Sequence, residues 1–172
     1  SPTLHLIEEV EKQVTQFKKQ APIILVAEDN AELASFIQTE LSELYNVLLT
    51  KNGQEAWEMI SHYDVQLVIS DIRMPIRTGI ELCKQIKENV DTSHIPVILL
   101  TAKDTLNAKI EGLESGADAY ISKPFSMDHL QVQISNLIEN RKTIVGHYTS
   151  SPLAHLKSVT LSNTDKNFLS KL

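Results

Sequence analysis

Cysteine is almost absent from this 172-residue sequence, which contains only Cys83. A single cysteine excludes an intramolecular disulfide, so we expect a protein of the reducing cytoplasm. Long apolar runs are also absent, because none approaches the ~18–20 residues that span a bilayer. The chain opens with polar and charged residues rather than a signal peptide, and we expect no membrane contact by this part of the protein. Its first residue is not methionine, so we expect a fragment of a longer chain.

Positive charge is scarce over most of the chain. The net charge is −6, from 16 basic and 22 acidic residues. Residues 141–172 contain five basic residues and one acidic residue, which leaves −10 on residues 1–140. This acidic charge disfavours nucleic-acid binding by residues 1–140. The basic tail has two interpretations, a solvated linker or the approach to a DNA-binding module.

The apolar residues near the N-terminus predict an amphipathic helix over residues 4–19. Steps of three and four place them on one narrow stripe: Leu4, Ile7, Val10, Val14 and Phe17. The heptad pattern is too short to specify a coiled coil. The helix therefore has two interpretations, a seam in a homodimer or packing on its own domain, and we assign residues 1–20 to it as an N-terminal linker helix.

Short apolar runs alternate with amphipathic segments over residues 21–140. The short runs are typical of strands that are covered on both faces, and they lie at 23–27, 46–50, 65–70, 96–101 and 118–121. The segments between them predict helices, the last of them at 126–140. Five such pairs predict an α/β fold with a doubly wound, five-stranded parallel sheet. Residues 141–172, with a loop-like stretch at 143–152, are predicted to form a C-terminal linker.

Polar side chains follow four of the five predicted strands. Ligands bind beyond the carboxyl ends of the strands in this type of sheet, so these residues are the candidates for chemistry. They are Glu28, Asp29, Asp71, Thr101 and Lys123. The sequence therefore predicts three carboxylates, a hydroxyl and an ammonium at one edge of the sheet.

This set of side chains suits phosphoryl transfer. Three carboxylates a few ångström apart repel by roughly 1–4 kcal/mol per close pair. An all-oxygen cluster of this kind favours a hard divalent cation, most readily Mg²⁺. A cation and a lysine together bind phosphate charge, and a carboxylate can be the nucleophile that forms an aspartyl phosphate. The Thr101 hydroxyl is suited to donate a hydrogen bond to the transferred group.

Four motifs resemble those of the receiver domain of bacterial response regulators, which has a flavodoxin-like, CheY-like fold. They are ILVAEDN at 24–30, SDIRMPIRTG at 70–79, LLTA at 99–102 and YISKPF at 120–125. The resemblance covers residues 21–140. It implies that Asp71 accepts a phosphoryl group from a histidine kinase. It also implies that this fragment is not an enzyme in its own right, although it assists its own phosphorylation and dephosphorylation.

The same resemblance implies how the acids divide their roles. Asp29 is implied to bind Mg²⁺ directly, together with Asp71 and the backbone carbonyl of Arg73. Glu28 stands where many members of the family have aspartate, and it is implied to act through a water molecule.

The resemblance further implies a phosphate-binding lysine and a pair of switch residues. Lys123 is the implied phosphate-binding ammonium, and it precedes a Lys123–Pro124 peptide bond that is expected to be cis. Thr101 and Tyr120 are the implied switch pair, which turns inward on phosphorylation. Residues 74–79 form the implied loop after the nucleophile.

A second resemblance concerns the tail. Residues 158–172 are similar to the approach to an AraC-type helix-turn-helix domain in hybrid two-component regulators. This implies a parent chain with a sensor and a histidine kinase, anchored in the inner membrane, and a downstream domain that binds DNA and regulates transcription. The fragment is then expected to receive phosphate from a histidine kinase domain of the same or another chain, and to reach DNA only through the missing domain.

Two other functions would use the same residues. One is a Mg²⁺-dependent phosphatase with an aspartyl nucleophile, but such enzymes usually need an acid two residues after the nucleophile, where this chain has Arg73. The other is a non-catalytic interaction module of the same fold. The complete set of acids, threonine and lysine argues against that module.

Overall fold

The structure, a computed structural model, describes residues 4–102 and 106–150. Helices and strands alternate along these residues after the first helix. In chain order they are α1 (Leu4–Val14), β1 (Ile23–Ala27), α2 (Ala31–Leu41), β2 (Asn46–Thr50), α3 (Gly53–His62), β3 (Val65–Asp71), α4 (Gly79–Glu88), β4 (Val97–Thr101), α5 (Leu106–Glu114), β5 (Ala119–Ser122) and α6 (Met127–Ser150). None of the helices in these ranges is both long and apolar enough to cross a membrane.

The five strands form one parallel sheet in the order β2–β1–β3–β4–β5. This confirms the predicted α/β fold class. β1 and β3 lie side by side, with Ala27 paired to Ser70. The strand order reverses between these two strands, and the crevice at such a point is where ligands bind in doubly wound sheets. The residues after Ala27 and the last residue of β3 therefore lie next to each other.

Two apolar cores cover the two faces of the sheet. Alternate residues of a strand point to opposite faces, so Ile24 and Val26 pack with α2 and α6, whereas Leu25 and Ala27 pack with α1, α3 and α4. All four side chains are fully buried. Because both faces are covered, β1 is a continuous apolar run in the sequence.

Side-chain caps fix where three helices begin, directly behind the carboxyl edge of the sheet. Asn30 caps α2 and Asn52 caps α3; each accepts a hydrogen bond from the amide three residues later. Thr78 and Glu81 form a capping box at the start of α4. Helices α2 and α3 begin shortly after the preceding strand ends, whereas a longer loop precedes α4.

The N-terminal helix packs on its own domain. Leu6 and Val10 are buried against the core that contains α3 and α4. Leu4 is 72% exposed and Ile7 is 36% exposed, so the predicted stripe is correct at Val10 and wrong at those two residues. This short helix has two overlapping apolar stripes, one through Leu4 and Ile7 and one through Leu6 and Val10. The second stripe, whose residues are four positions apart, faces the sheet.

The end of α1 and the segment that follows it cover the free edge of β2. Helix α1 ends at Val14 rather than at residue 19, because the chain turns there through hydrogen bonds between residues three apart. Gln13 Oε1 accepts a hydrogen bond of 2.9 Å from the Leu49 amide of β2. The buried Asn46 side chain donates to Lys18 O at 2.6 Å and accepts from Lys18 N at 2.8 Å. These bonds satisfy polar groups that an open strand edge would expose.

The largest difference from the predicted elements lies near the C-terminus. β3 extends to Asp71 and β5 spans Ala119–Ser122, each within one residue of its predicted end. Helix α6 continues to Ser150, whereas the sequence predicts an end at 140 and a loop at 143–152. Extending an existing helix is less costly than starting one, and α6 contains no proline to stop it. The tail at 151–172, with its resemblance to a DNA-binding approach, lies outside the described residues.

Candidate functional site

Three carboxylates meet at the carboxyl edge of the sheet, as predicted. Glu28 and Asp29 follow β1, and Asp71 is the last residue of β3. One carboxylate oxygen from each of them lies within 4.8 Å of the other two. Glu28 and Asp71 are buried and Asp29 is exposed, so the cluster is reached from the side of Asp29.

Lys123 directly follows β5, the outermost strand on the other edge of the sheet from β2, and its side chain extends to this cluster. Its Nζ lies 3.2 Å from Glu28 Oε2 and 3.3 Å from Asp71 Oδ2. The Lys123 amide donates to Thr101 O at 2.6 Å, which continues the pairing of β4 and β5 beyond the ends of the strands. The Lys123–Pro124 peptide bond is cis, as predicted.

The electrostatics of Glu28 show how crowded the cluster is. Burial raises the pKa of the Glu28 carboxyl above its ordinary value, and the negative charge of Asp71 raises it further. Lys123 and the Asn30 amide, which donates to Glu28 Oε1 at 3.2 Å, act in the opposite direction. In the part of the chain that the structure describes, Lys123 is the ammonium paired with this cluster, and burial outweighs its effect on the pKa of Glu28.

The donor chemistry of the cluster fits Mg²⁺. Its oxygens come from Glu28, Asp29 and Asp71, and hard divalent cations prefer oxygen ligands. Arg73 lies on the same side as Asp29, since the two residues line one open cleft of about 670 Å³. Met74 and Glu111 also line this cleft, which gives a donor molecule a route to the acids.

The loop after Asp71 has a strained shape. The Arg77 amide donates to Pro75 O at 2.7 Å, and Ile76 between them has φ +69°. A β-branched residue in this conformation costs on the order of 1–3 kcal/mol. Gly79 is required for another reason: a Cβ there would lie 2.1 Å from Asp71 O. The loop is therefore folded tightly back onto the acid that precedes it.

Thr101 and Tyr120 lie on neighbouring strands and on the same face of the sheet. Tyr120 pairs with Leu99, which lies two residues before Thr101 in β4. Thr101 is buried, whereas the half-buried Tyr120 ring packs so closely on α5 that a Cβ at Gly112 would lie 2.7 Å from it. The structure thus brings the two residues together, and their switch role stays a prediction.

Two parts of this region were not anticipated by reasoning from strand ends. The Asn30 amide that binds Glu28 is a backbone group, and no residue type marks it in the sequence. The positive φ of Ile76 is equally hidden, because glycine or asparagine is the usual signal for that conformation. A turn between Pro75 and Gly79 was the only available hint.

The strand order and the polar residues at the carboxyl edge are those of a receiver-type α/β domain. Residues 24–135 match the response regulator receiver domain family. The chain belongs to this family, which confirms the resemblance that the four motifs carry.

Two relatives and one solved structure show the context of such domains. The chain is 40% identical over 171 residues to Histidine kinase P4 of Formosa agariphila, which covers 98% of this chain and 12% of that protein. It is 36% identical over 135 residues to Hybrid signal transduction histidine kinase D of Dictyostelium discoideum, which covers 77% of this chain and 9% of that protein. The chain therefore spans a small part of the length of these relatives.

The solved structure is the signal receiver domain of a signal transduction histidine kinase from Syntrophus aciditrophicus. It superposes with a TM-score of 0.67 and 35% identity, over 70% of this chain and 92% of that one. The N-terminal helix lies outside residues 24–135, which match the family, and it is an addition to the five-stranded receiver fold.

Proposed function

We propose that Asp71 accepts a phosphoryl group from the phosphohistidine of a histidine kinase, and that this modification switches the surface of the receiver. One observation carries the proposal. The Asp71 carboxylate ends β3, 3.3 Å from Lys123 Nζ and within 4.8 Å of oxygens of Glu28 and Asp29. A buried carboxylate beside a lysine and further acids is suited to receive phosphate charge.

The proposed step exchanges one bond to phosphorus for another. An Asp71 carboxylate oxygen forms a bond to phosphorus while the bond between phosphorus and the imidazole nitrogen of the donor breaks. The electron pair of that bond stays on the imidazole nitrogen, which takes up a proton. The product is an acyl phosphate on Asp71, and a later attack by water returns the free carboxylate and inorganic phosphate.

The side chains around Asp71 have complementary roles in this proposal. Asp29, Asp71 and the backbone carbonyl of Arg73 would hold Mg²⁺, with Glu28 acting through a water molecule. When bound, the cation offsets the charge of the phosphoryl oxygens. The Lys123 ammonium binds one of those oxygens and gives up part of its contact with Glu28.

Thr101 and Tyr120 carry the change to the surface. A phosphoryl oxygen on Asp71 offers the Thr101 hydroxyl a charge-assisted hydrogen bond, which is stronger than a neutral one. Movement of Thr101 leaves space on its face of the sheet, and the Tyr120 ring lies on that same face. The altered surface comprises α5, β5 and α6.

The proposed context is a hybrid two-component regulator of the cytoplasm. The named relatives are histidine kinases of which the aligned part is a small fraction. Residues 158–172 resemble the approach to an AraC-type domain, so the proposed output is control of transcription by a DNA-binding domain beyond residue 172. The fragment itself acts as a phosphoacceptor rather than as an enzyme.

Labelling with acetyl phosphate and Mg²⁺ tests this function. We expect one phosphate per chain by intact mass, retained long enough to be measured, and none in Asp71→Asn. Asp128→Asn, an exposed acid in the first turn of α6, is the matched control and should be labelled like the wild type. Rapid release of phosphate over many turnovers would indicate a phosphatase, and absence of labelling would indicate a non-catalytic module.

A further inference from the structure

The loop at residues 72–78 is held at both ends by backbone hydrogen bonds. The Ile72 amide donates to Leu100 O at 3.0 Å, and the Gly79 amide donates to Ile72 O at 2.9 Å. Between these points lie the Arg73 carbonyl, which is a proposed Mg²⁺ ligand, and the strained turn at Ile76. The position of residues 73–78 therefore depends on their contacts with other parts of the protein.

Arg77 connects the middle of the loop to two helices. Its Nη2 donates to Gln54 Oε1 of α3 at 2.6 Å, and its Nη1 donates to Gln85 Oε1 of α4. The Gln54 amide nitrogen donates in turn to Glu58 Oε1 at 3.1 Å, which orients the Gln54 oxygen toward the guanidinium. One half-buried side chain thus ties the first turn of α3 to the middle of α4.

The backbone of Arg77 is held by the same helix. Arg77 O accepts a hydrogen bond of 3.1 Å from the Gly53 amide at the start of α3. A Cβ at Gly53 would lie 2.7 Å from that oxygen, so the helix start presses directly on the loop. Side chain and backbone therefore fix Arg77 against α3 at two separate points.

The planar shape of the Arg77 guanidinium, rather than its positive charge, is what suits this position. A guanidinium is planar and presents donors in two directions at fixed angles, whereas a lysine ammonium is a point charge on a flexible stem. Both acceptors of Arg77 are neutral amide oxygens, which select for donor geometry rather than for an ion pair.

We propose that Arg77 is a positioning residue that clamps the loop at 72–78 between α3 and α4. The clamp sets the position of the Arg73 carbonyl, and through it both the affinity for Mg²⁺ and the rate at which Asp71 accepts phosphate. The inference rests on the proposed phosphoacceptor function of Asp71.

The test compares two substitutions of Arg77 with substitutions of its acceptors. In Arg77→Met and Arg77→Lys we expect labelling by acetyl phosphate about tenfold slower at saturating Mg²⁺, below the ~100-fold that a 1 Å misplacement can cost. The Mg²⁺ dissociation constant from calorimetry should rise by a similar factor. Gln54→Leu and Gln85→Leu each remove one acceptor and should give intermediate losses. Lys19→Met, which removes an exposed cation far from the loop, should match the wild type in both measurements.

The variants distinguish a clamp that depends on donor geometry from a simple effect of positive charge. A wild-type rate in Arg77→Lys would overturn the proposal, because charge rather than geometry would then be what matters. Wild-type rates and Mg²⁺ affinities in both glutamine variants would also overturn it, and these variants decide the question if Arg77→Met does not fold. Failure of the wild-type protein to be labelled would instead refute the phosphoacceptor function, while the Mg²⁺ affinities would still report on the clamp.

Discussion

Two lysine–carboxylate pairs lie on opposite ends of the sheet, and they are built differently. Near the amino end of β4, Lys87 Nζ lies 2.8 Å from Asp118 Oδ2 and 2.8 Å from Ile95 O. The same Asp118 oxygen accepts a hydrogen bond of 2.8 Å from the Val97 amide. At the carboxyl edge, Lys123 pairs with Glu28 and Asp71, and Asp29 adds a third carboxylate to the same cluster.

The difference separates an ion pair whose charges are matched from a cluster whose charges are not. The pair at Asp118 has one charge of each sign and fixed backbone partners, so it is balanced within the protein. Among the described residues, Lys123 pairs with two of the three carboxylates of the cluster at Asp71, which leaves an excess of negative charge that an added cation or a proton can balance. Native structures retain such imbalance at sites that bind charged ligands.

The largest expected effect comes from removing the lysine of the unbalanced cluster. Lys123→Met should slow labelling of Asp71 by acetyl phosphate about 100-fold or more, as when one donor to a developing oxyanion is lost. Lys87→Met removes the lysine of the balanced pair and should be labelled at the wild-type rate. Equal rates for Lys123→Met and the wild type would contradict the division into two kinds of pair.

Mg²⁺ should stabilise the protein by relieving repulsion among the acids. At about 100 times its dissociation constant, a ligand that binds only the folded state adds about 2.7 kcal/mol. Thermal melts with and without Mg²⁺ measure this gain, and Asp29→Ala should lose most of it. Asp128→Asn serves as the control and should keep the full shift. An undiminished shift in Asp29→Ala would place the cation elsewhere.

The balanced pair should contribute to stability instead. Lys87→Met leaves Asp118 and the Ile95 carbonyl without their shared donor, and we expect a loss of about 1–2 kcal/mol in the free energy of unfolding. Urea denaturation measures this loss. Lys84→Met, an exposed position on the same helix, is expected to change little, and a loss equal to that of Lys87→Met would show that the pair is not responsible.

The smallest effect is a pH dependence that comes from Glu28. Because its pKa is raised in the folded protein, the folded state holds this proton more firmly than the unfolded chain does. The contribution of Glu28 to stability is therefore present at low pH and is lost as the pH rises from the ordinary value of 4.5 through the raised pKa. Without Mg²⁺, the melting temperature of the wild type should fall relative to that of Glu28→Gln as the pH rises above the ordinary value of 4.5. If the melting temperatures of the two proteins changed in parallel with pH, the raised pKa of Glu28 would have no effect on stability.

The acid cluster could be predicted from the sequence because its position depends on strand ends. A continuous apolar run such as β1 marks a strand covered on both faces, and Glu28 and Asp29 follow it directly. Parallel strands then bring Asp71 and Lys123 to the same edge without further information.

Contacts that depend on side-chain direction could not be predicted in this way. The stripe through Leu6 and Val10, rather than the one through Leu4, faces the sheet, and both stripes fit the period of a helix. Arg77 meets glutamines 23 and eight residues away along the chain, and no periodicity relates these positions. Such contacts depend on how the helices pack on the sheet, and the local sequence pattern does not specify that packing.

The closed edge of β2 changes where this module can be cut from a longer chain. A piece that starts at residue 21 would contain the whole of the family match, which begins at residue 24. It would nevertheless lack Gln13 and Lys18. The Leu49 amide would lose its partner and Asn46 would keep its side-chain bond to Ala21 O but lose both bonds to Lys18, which leaves this edge more open to pairing with a second strand edge. Residues 13–18 therefore belong to the folded unit, because they are hydrogen-bonded to its outermost strand.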